Sequence, residues 1–254
     1  MSDLTLTLVQ SELVWEQRQA NRERFEARLR PLAHRTDLVI LPEMFSTGFT
    51  MNAPPLAETM QGPTLQWMRA LARELAADLV GSVIIREGGA LYNRLLWVRP
   101  DGRVSTYDKK HLFRMSGEHK VYAAGRERLT VTVKGWALRP FICYDLRFPA
   151  WCRNRGRAYD VALFVANWPA ARAGHWRALL QARAIENQSY VVGVNRVGTD
   201  GNGLAYRGDS SVIDAQGGVR YHCEDREDVF TTTLSREDLE VYREAFPAWK
   251  DAGG

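Results

Sequence analysis

Val161-Ala162-Leu163-Phe164-Val165-Ala166 is followed by the helical stretch Gly174 to Gln188 and then by Tyr190-Val191-Val192-Gly193-Val194. Both apolar runs are near-continuous rather than alternating, the mark of strands buried on both faces. A long helix between two such strands points to an α/β fold. The same order recurs upstream. Leu4 to Gln10 alternates with period two and reads as a strand. Residues 15–34 are rich in Glu, Arg, Ala and Gln and read as a polar surface helix, and Asp37-Leu38-Val39-Ile40-Leu41 is another buried strand that stops at Pro42-Glu43.

Hairpins complicate the pattern. Gly62-Pro63-Thr64 opens a helix through about Ala77, with Leu65, Met68, Leu71, Ala72 and Leu75 on one face. Leu79 to Arg86 and Leu91 to Val98 then read as strands joined through Gly88-Gly89. Asp101-Gly102 turns the chain into a strand from Val104 to Lys109. Leu129 to Val133 and Ala137 to Tyr144 pair around Lys134-Gly135. A helix is expected near 149–155. After the second apolar run the chain is β-rich, with strands at 210–214, 219–223 and 229–234, and closes on a polar helix at about 235–245. Hairpins among buried strands predict two mixed sheets with helices outside.

Composition narrows the function classes. The 254 residues are 45% apolar and 25% charged, as in ordinary globular proteins. No apolar run approaches the ~20 residues of a membrane-spanning helix. The N-terminus lacks a basic segment before an apolar one, so a cytoplasmic protein is expected. The net charge of +4 comes from Lys and Arg interleaved with Asp and Glu, which reads as a solvated surface and not a nucleic-acid footprint. Cys143, Cys152 and Cys223 are odd in number and widely spaced, so neither a disulfide framework nor a zinc site is expected. Gly198-Thr199-Asp200-Gly201-Asn202-Gly203 has no P-loop spacing and reads as a turn, and Ser210-Ser211 lacks the setting of a serine amidase.

Ligands of α/β sheets sit beyond the carboxyl ends of strands, which directs attention to three side chains. Glu43 ends an apolar strand. Lys109 ends the strand from Val104. Cys143 sits where the strand Pro140-Phe141-Ile142 meets a sharp turn, a setting that exposes a nucleophile beside free backbone N–H groups. Singly, each has a plainer reading: a loop carboxylate capping amides, a surface lysine, a thiol acting as a small hydrophobe. Together they supply a nucleophile, a base and a cation for an oxyanion. His34, His111, His119, His175 and His222 stand in no motif that demands a base, which leaves Glu43 for that role.

Leu41-Pro42-Glu43-Met44-Phe45, Tyr107-Asp108-Lys109-Lys110-His111-Leu112-Phe113, Gly117-Glu118 before Tyr122 and Gly125, Ile142-Cys143-Tyr144-Asp145-Leu146-Arg147-Phe148-Pro149, Asn167-Trp168-Pro169 and Arg183-Ala184-Ile185-Glu186-Asn187-Gln188 occur in that order. The ordered set resembles the nitrilase, or carbon–nitrogen hydrolase, superfamily over nearly the whole chain, and its ω-amidase branch in particular. The resemblance implies a single domain over 1–254, a four-layer α-β-β-α sandwich that forms homodimers, and no cofactor or metal. It implies Glu43 as general base, Lys109 as oxyanion cation, Cys143 as nucleophile and Glu118 as a second, supporting glutamate. Lys109 is chosen over Lys110 because the matching lysine stands two places before the histidine. The Tyr144 N–H joins the oxyanion site. The implied substrate is a short ω-amide such as 2-oxoglutaramate or 2-oxosuccinamate, cleaved through a thioester. The ammonium of Lys109 is expected to favour the thiolate of Cys143 and to hold Glu43 ionised.

Phe45, Tyr144 and Trp168 are candidates to line the pocket, and Arg147, Arg172 and Arg207 to hold a substrate carboxylate. Two alternatives stay open within this reading: hydrolysis of a nitrile or an N-carbamoyl amine by the same triad, and a silent binding protein on the same fold.

Overall fold

The structure, a computed structural model, describes residues 2–251. In chain order the elements are β1 (Leu4–Gln10), α1 (Arg18–Leu29), β2 (Leu38–Ile40), α2 (Pro63–Leu75), β3 (Asp78–Glu87), β4 (Ala90–Val98), β5 (Val104–Asp108), α3 (Glu118–Val121), β6 (Val131–Val133) and β7 (Trp136–Ile142). They continue as α4 (Pro149–Cys152), β8 (Val161–Ala166), α5 (Ala173–Asn187), β9 (Tyr190–Asn195), β10 (Val197–Thr199), β11 (Ala205–Ile213), β12 (Val219–Glu224), β13 (Asp228–Leu234) and α6 (Arg236–Ala245).

The strands form two mixed sheets. The first runs β13-β1-β2-β3-β4-β5, parallel across β1, β2 and β3 and antiparallel elsewhere. The second runs β10-β11-β9-β8-β7-β6, parallel across β7, β8 and β9, with β12 also on β11. Alternation decides which side each residue faces. Leu4, Leu6 and Leu8 of β1 point between the sheets, where they meet Trp136, Leu138, Val161, Leu163, Val192 and Val194. Val9, Val39, Leu79 and Leu96 point outward against Phe25 of α1 and Leu65, Met68, Leu71 and Leu75 of α2. On the far side Phe141, Phe164 and Val191 pack on Trp176, Leu180 and Ala184 of α5. The layers are therefore α-β-β-α, and the predicted apolar face of α2 is buried residue for residue.

Three boundaries differ from the sequence reading. The helix expected over 15–34 begins only at Arg18, which leaves Trp15 and Glu16 in a loop, with Glu16 at φ +55°. The helix expected near 149–155 ends at Cys152, because the chain turns at Asn154 before a 3-10 turn over 155–157. The glycine-rich turn at 198–203 is flanked by paired strands, β10 and the start of β11, too polar to register as strands by pattern.

Candidate active site

The carboxyl ends of the parallel strands face one cavity of about 580 Å³. Lys109, Cys143, Tyr144, Arg147, Asn167, Trp168 and Arg172 line it, as do Trp15, Glu16, Phe49 and Phe113. Glu43 lies just beyond β2, Lys109 just beyond β5, Cys143 just beyond β7 and Asn167 just beyond β8. The sulfur, the acid and the ammonium, far apart in sequence, thus gather at one end of the sandwich.

Lys109 Nζ donates to Glu43 Oε1 at 2.8 Å and to Glu118 Oε1 at 2.9 Å. All three side chains are essentially excluded from solvent. Buried charges of this kind persist only when paired. Burial by itself pulls the Lys109 ammonium toward neutrality, but Glu118, Glu43 and Cys143 outweigh it and hold its pKa above the usual lysine range. Burial raises the pKa of Glu118, with Lys109 opposing and Glu43 adding to the rise. The remaining oxygen of Glu118 accepts the Phe113 N–H at 2.6 Å, which ties the loop after β5 to the ion cluster.

Cys143 opens the turn after β7 at φ +43°, an uncommon value for a residue with a side chain. Its Sγ lies 3.9 Å from the Asn167 carbonyl oxygen. Burial is the largest influence on the thiol, Glu43 adds to it, and the two outweigh Lys109. The pKa is pushed well above the ordinary thiol range. Lys109 pulls toward the thiolate as expected, but burial and Glu43 outweigh it and favour the thiol, which then needs a base to react.

Two residues to which the sequence reading gave no role organise this centre. Asn93, in β4, donates to Glu43 Oε1 at 2.8 Å. Asp145, fully buried beneath the turn, accepts from the Ile142 N–H at 3.1 Å, the His111 N–H at 3.0 Å and the Tyr107 hydroxyl at 2.6 Å. The same carboxylate lies 2.8 Å from His111 Nδ1, and the His111 ring stacks on Phe148. Gly125, part of the motif set, lets the backbone cross Asp108: a Cβ there would stand 2.1 Å from the Asp108 carbonyl oxygen.

The remaining candidates divide. Trp168, Tyr144, Arg147 and Arg172 line the cavity, with Arg147 over the Trp168 ring and Arg172 over Phe113. Phe45 does not. It is fully buried in the outer core against Phe25 and Trp67, because the turn at Met44 (φ +42°) sends it behind the sheet. Phe49 takes the expected place, its ring 5.0 Å from Lys109 Nζ. Arg207 pairs with Glu224 and Asp225 and is not among the lining residues. Asp209, His222 and Glu224 bring possible ligand atoms within 4.8 Å of one another, but Arg177 and Arg207 already neutralise them.

A family model described as carbon-nitrogen hydrolase matches residues 5–244. The chain is 50% identical to omega-amidase YafV of Yersinia enterocolitica, over 99% of this chain and 97% of that one. It is 30% identical to the 2-oxoglutaramate amidase of Bacillus subtilis, over 97% of this chain and 96% of that one. The crystal structure of XC1258 from Xanthomonas campestris, a CN-hydrolase superfamily protein, superposes with a TM-score of 0.98 at 50% identity, covering 100% of this chain and 98% of the other.

Proposed function

The chain belongs to the carbon-nitrogen hydrolase family, and from that premise we propose that it is an ω-amidase releasing ammonia from a short ω-amide of the 2-oxoglutaramate or 2-oxosuccinamate kind. The observation that carries the reading is that Cys143 and Lys109 face one cavity with Glu43 held against the Lys109 ammonium just behind its wall, in a chain half identical to a protein named as an omega-amidase.

Glu43 takes the Cys143 proton as sulfur attacks the amide carbon. The oxygen gains the carbonyl electrons and is stabilised by Lys109 and the Tyr144 N–H, one such donor being worth about 10²–10³ in rate. The tetrahedral species collapses, the C–N bond breaks, and Glu43 returns the proton to nitrogen, which leaves as ammonia. Water, deprotonated by Glu43, then hydrolyses the thioester. Glu118 supports the reading as the second carboxylate that holds Lys109 in place. Arg147 and Arg172, on the cavity wall, receive the substrate carboxylate, and Trp168 packs beside it.

The chain acts as one domain, as a homodimer, in the cytoplasm. Ile185 of α5 and Val241 of α6, both largely exposed apolar residues, support pairing, and three free cysteines fit a reducing compartment. Ammonia release from 2-oxoglutaramate, 2-oxosuccinamate, glutamine and a simple nitrile tests the reading. The 2-oxo acid amides are expected to turn over fastest, with Cys143→Ala inactive yet folded; fastest turnover of the nitrile, or an active alanine variant, overturns it.

A further inference from the structure

A carboxylate oxygen offers two directions to hydrogen-bond donors. Glu43 Oε1 has both filled, by Lys109 Nζ and by Asn93 Nδ2, each at 2.8 Å. Glu43 Oε2 has one filled, by the Asn167 backbone N–H at 2.8 Å. The open direction therefore belongs to Oε2, and Oε2 is held by the residue whose carbonyl oxygen lies against Cys143 Sγ. The Asn93 amide can stand only one way round. Its neighbours Glu43 and Glu118 are both acceptors, so nitrogen must face them, at 2.8 Å and 3.4 Å.

We propose that Asn93 is a positioning residue: by saturating Oε1 with a neutral donor it makes Oε2 the proton-carrying atom of Glu43. The inference rests on the amidase reading above. A neutral donor suits the place. The groups facing Glu43 are Lys109 beyond β5, Glu118 of α3, Cys143 of the turn and Tyr122 beyond α3, whose hydroxyl is tied to the Thr50 carbonyl. With Glu43 itself they set one ammonium against two carboxylates. A further cation would compete with Lys109 for the two carboxylates, and a further carboxylate would compete with them for its ammonium.

During acylation the proton passes from Cys143 Sγ to Oε2 and afterwards from Oε2 to the departing nitrogen. Oε1 keeps its donors throughout. Removing the Asn93 side chain leaves the bond from the Lys109 N–H to the Asn93 carbonyl oxygen, at 3.0 Å, in place, so Lys109 keeps its backbone anchor.

Two measurements test this. In Asn93→Ala and the nearly isosteric, uncharged Asn93→Leu, kcat for the ω-amide is expected to fall about tenfold to a hundredfold with KM held within about threefold. The acid limb of the kcat/KM profile is expected to move up by about one pH unit, because a carboxylate that loses a donor holds its proton more tightly. A loss of kcat with an unmoved acid limb, or full activity, overturns the proposal. The second measurement needs neither variant to be active. In the wild-type protein without substrate, the side-chain N–H₂ resonances of Asn93 must titrate with the midpoint of that acid limb. Resonances indifferent to pH there also overturn it. Absence of ω-amide turnover in the wild type would instead overturn the amidase reading and leave this titration standing.

Discussion

Asp145 accepts the Tyr107 hydroxyl at 2.6 Å in the buried interior, joining the turn that presents Cys143 to the strand that presents Lys109. The other oxygen of the same carboxylate holds the His111 N–H on the far side of Lys109. Sulfur and ammonium are thus spaced by one side chain that faces neither the cavity nor solvent. Asp145→Ala is expected to leave three buried or half-buried donors unpaired and to lower stability by about 2–4 kcal/mol. Urea unfolding reads that loss. Ammonia release should fall at least about tenfold in the folded fraction, and an alanine variant of unchanged stability and rate would refute the spacing role.

The resting state of Cys143 makes a prediction of its own. Burial and the Glu43 carboxylate raise the thiol above the ordinary value of 9.0, against the pull of Lys109. The sign follows: below that value the sulfur is protonated, and thiolate appears only as pH climbs past it. Alkylation by iodoacetamide should therefore be slow at neutral pH and accelerate above pH ~9. Lys109→Met removes the one group that lowers the thiol, so the accelerating phase should move to still higher pH. Rapid alkylation of the wild type at pH 7 would contradict this ordering of influences.

Arg147 and Arg172 make separable predictions. Arg147 lies 4.8 Å from the Trp168 ring and hydrogen-bonds His175 at 3.1 Å, and Arg172 lies 5.5 Å from the Phe113 ring. The contacts of both are to rings and an imidazole and not to a carboxylate among the described residues, which leaves both free to meet an anionic substrate. Replacing either by Met keeps the aliphatic stem over the ring and removes the charge. KM for 2-oxoglutaramate should rise about tenfold or more for the arginine that binds the carboxylate, with KM for a neutral amide of similar size unchanged. A parallel rise for both amides would assign that arginine to packing alone.

What could be read from the chain depended on how local the signal was. Two mixed sheets with helices outside followed from runs such as Val161–Ala166 and from the apolar face of α2, whose periodicity needs no knowledge of the partner, whereas the four-layer order came only with the family resemblance. Glu43, Lys109 and Cys143 were legible because each ends a strand inside a recognisable motif. Asn93 and Asp145 were not. Asn93 sits mid-strand in β4, opposite Ile84, and acquires its partners only when α3 and the loop after β2 close over it. Asp145 lies inside a quoted motif, yet its role depends on Tyr107 and His111, distant in sequence. Phe45 misled for the converse reason. Adjacency to a motif says nothing of the side a residue takes after a left-handed turn, and the φ of Met44 sends it into the outer core.

Arg196 carries the last prediction. It is fully buried, yet no carboxylate pairs with it among the described residues. Its guanidinium donates instead to the carbonyls of Val197 and Thr199, and more weakly to Leu13, and it lies over the Tyr206 ring. Burial lowers its pKa below the usual arginine range, with Tyr206 and Asp200 opposing. These contacts join the loop after β1, which carries Trp15 and Glu16, to the β10–β11 turn, which carries Asp200, and both line the cavity. A buried cation without an anionic partner is a poor source of stability, so replacing it with an apolar side chain should cost little in folding. The wall it holds should loosen. Arg196→Leu is therefore expected to raise KM about tenfold while kcat changes by less than about threefold, because Glu43, Lys109 and Cys143 are anchored by other residues. A drop in kcat at constant KM would mean that the clamp acts on the catalytic centre and not on the wall.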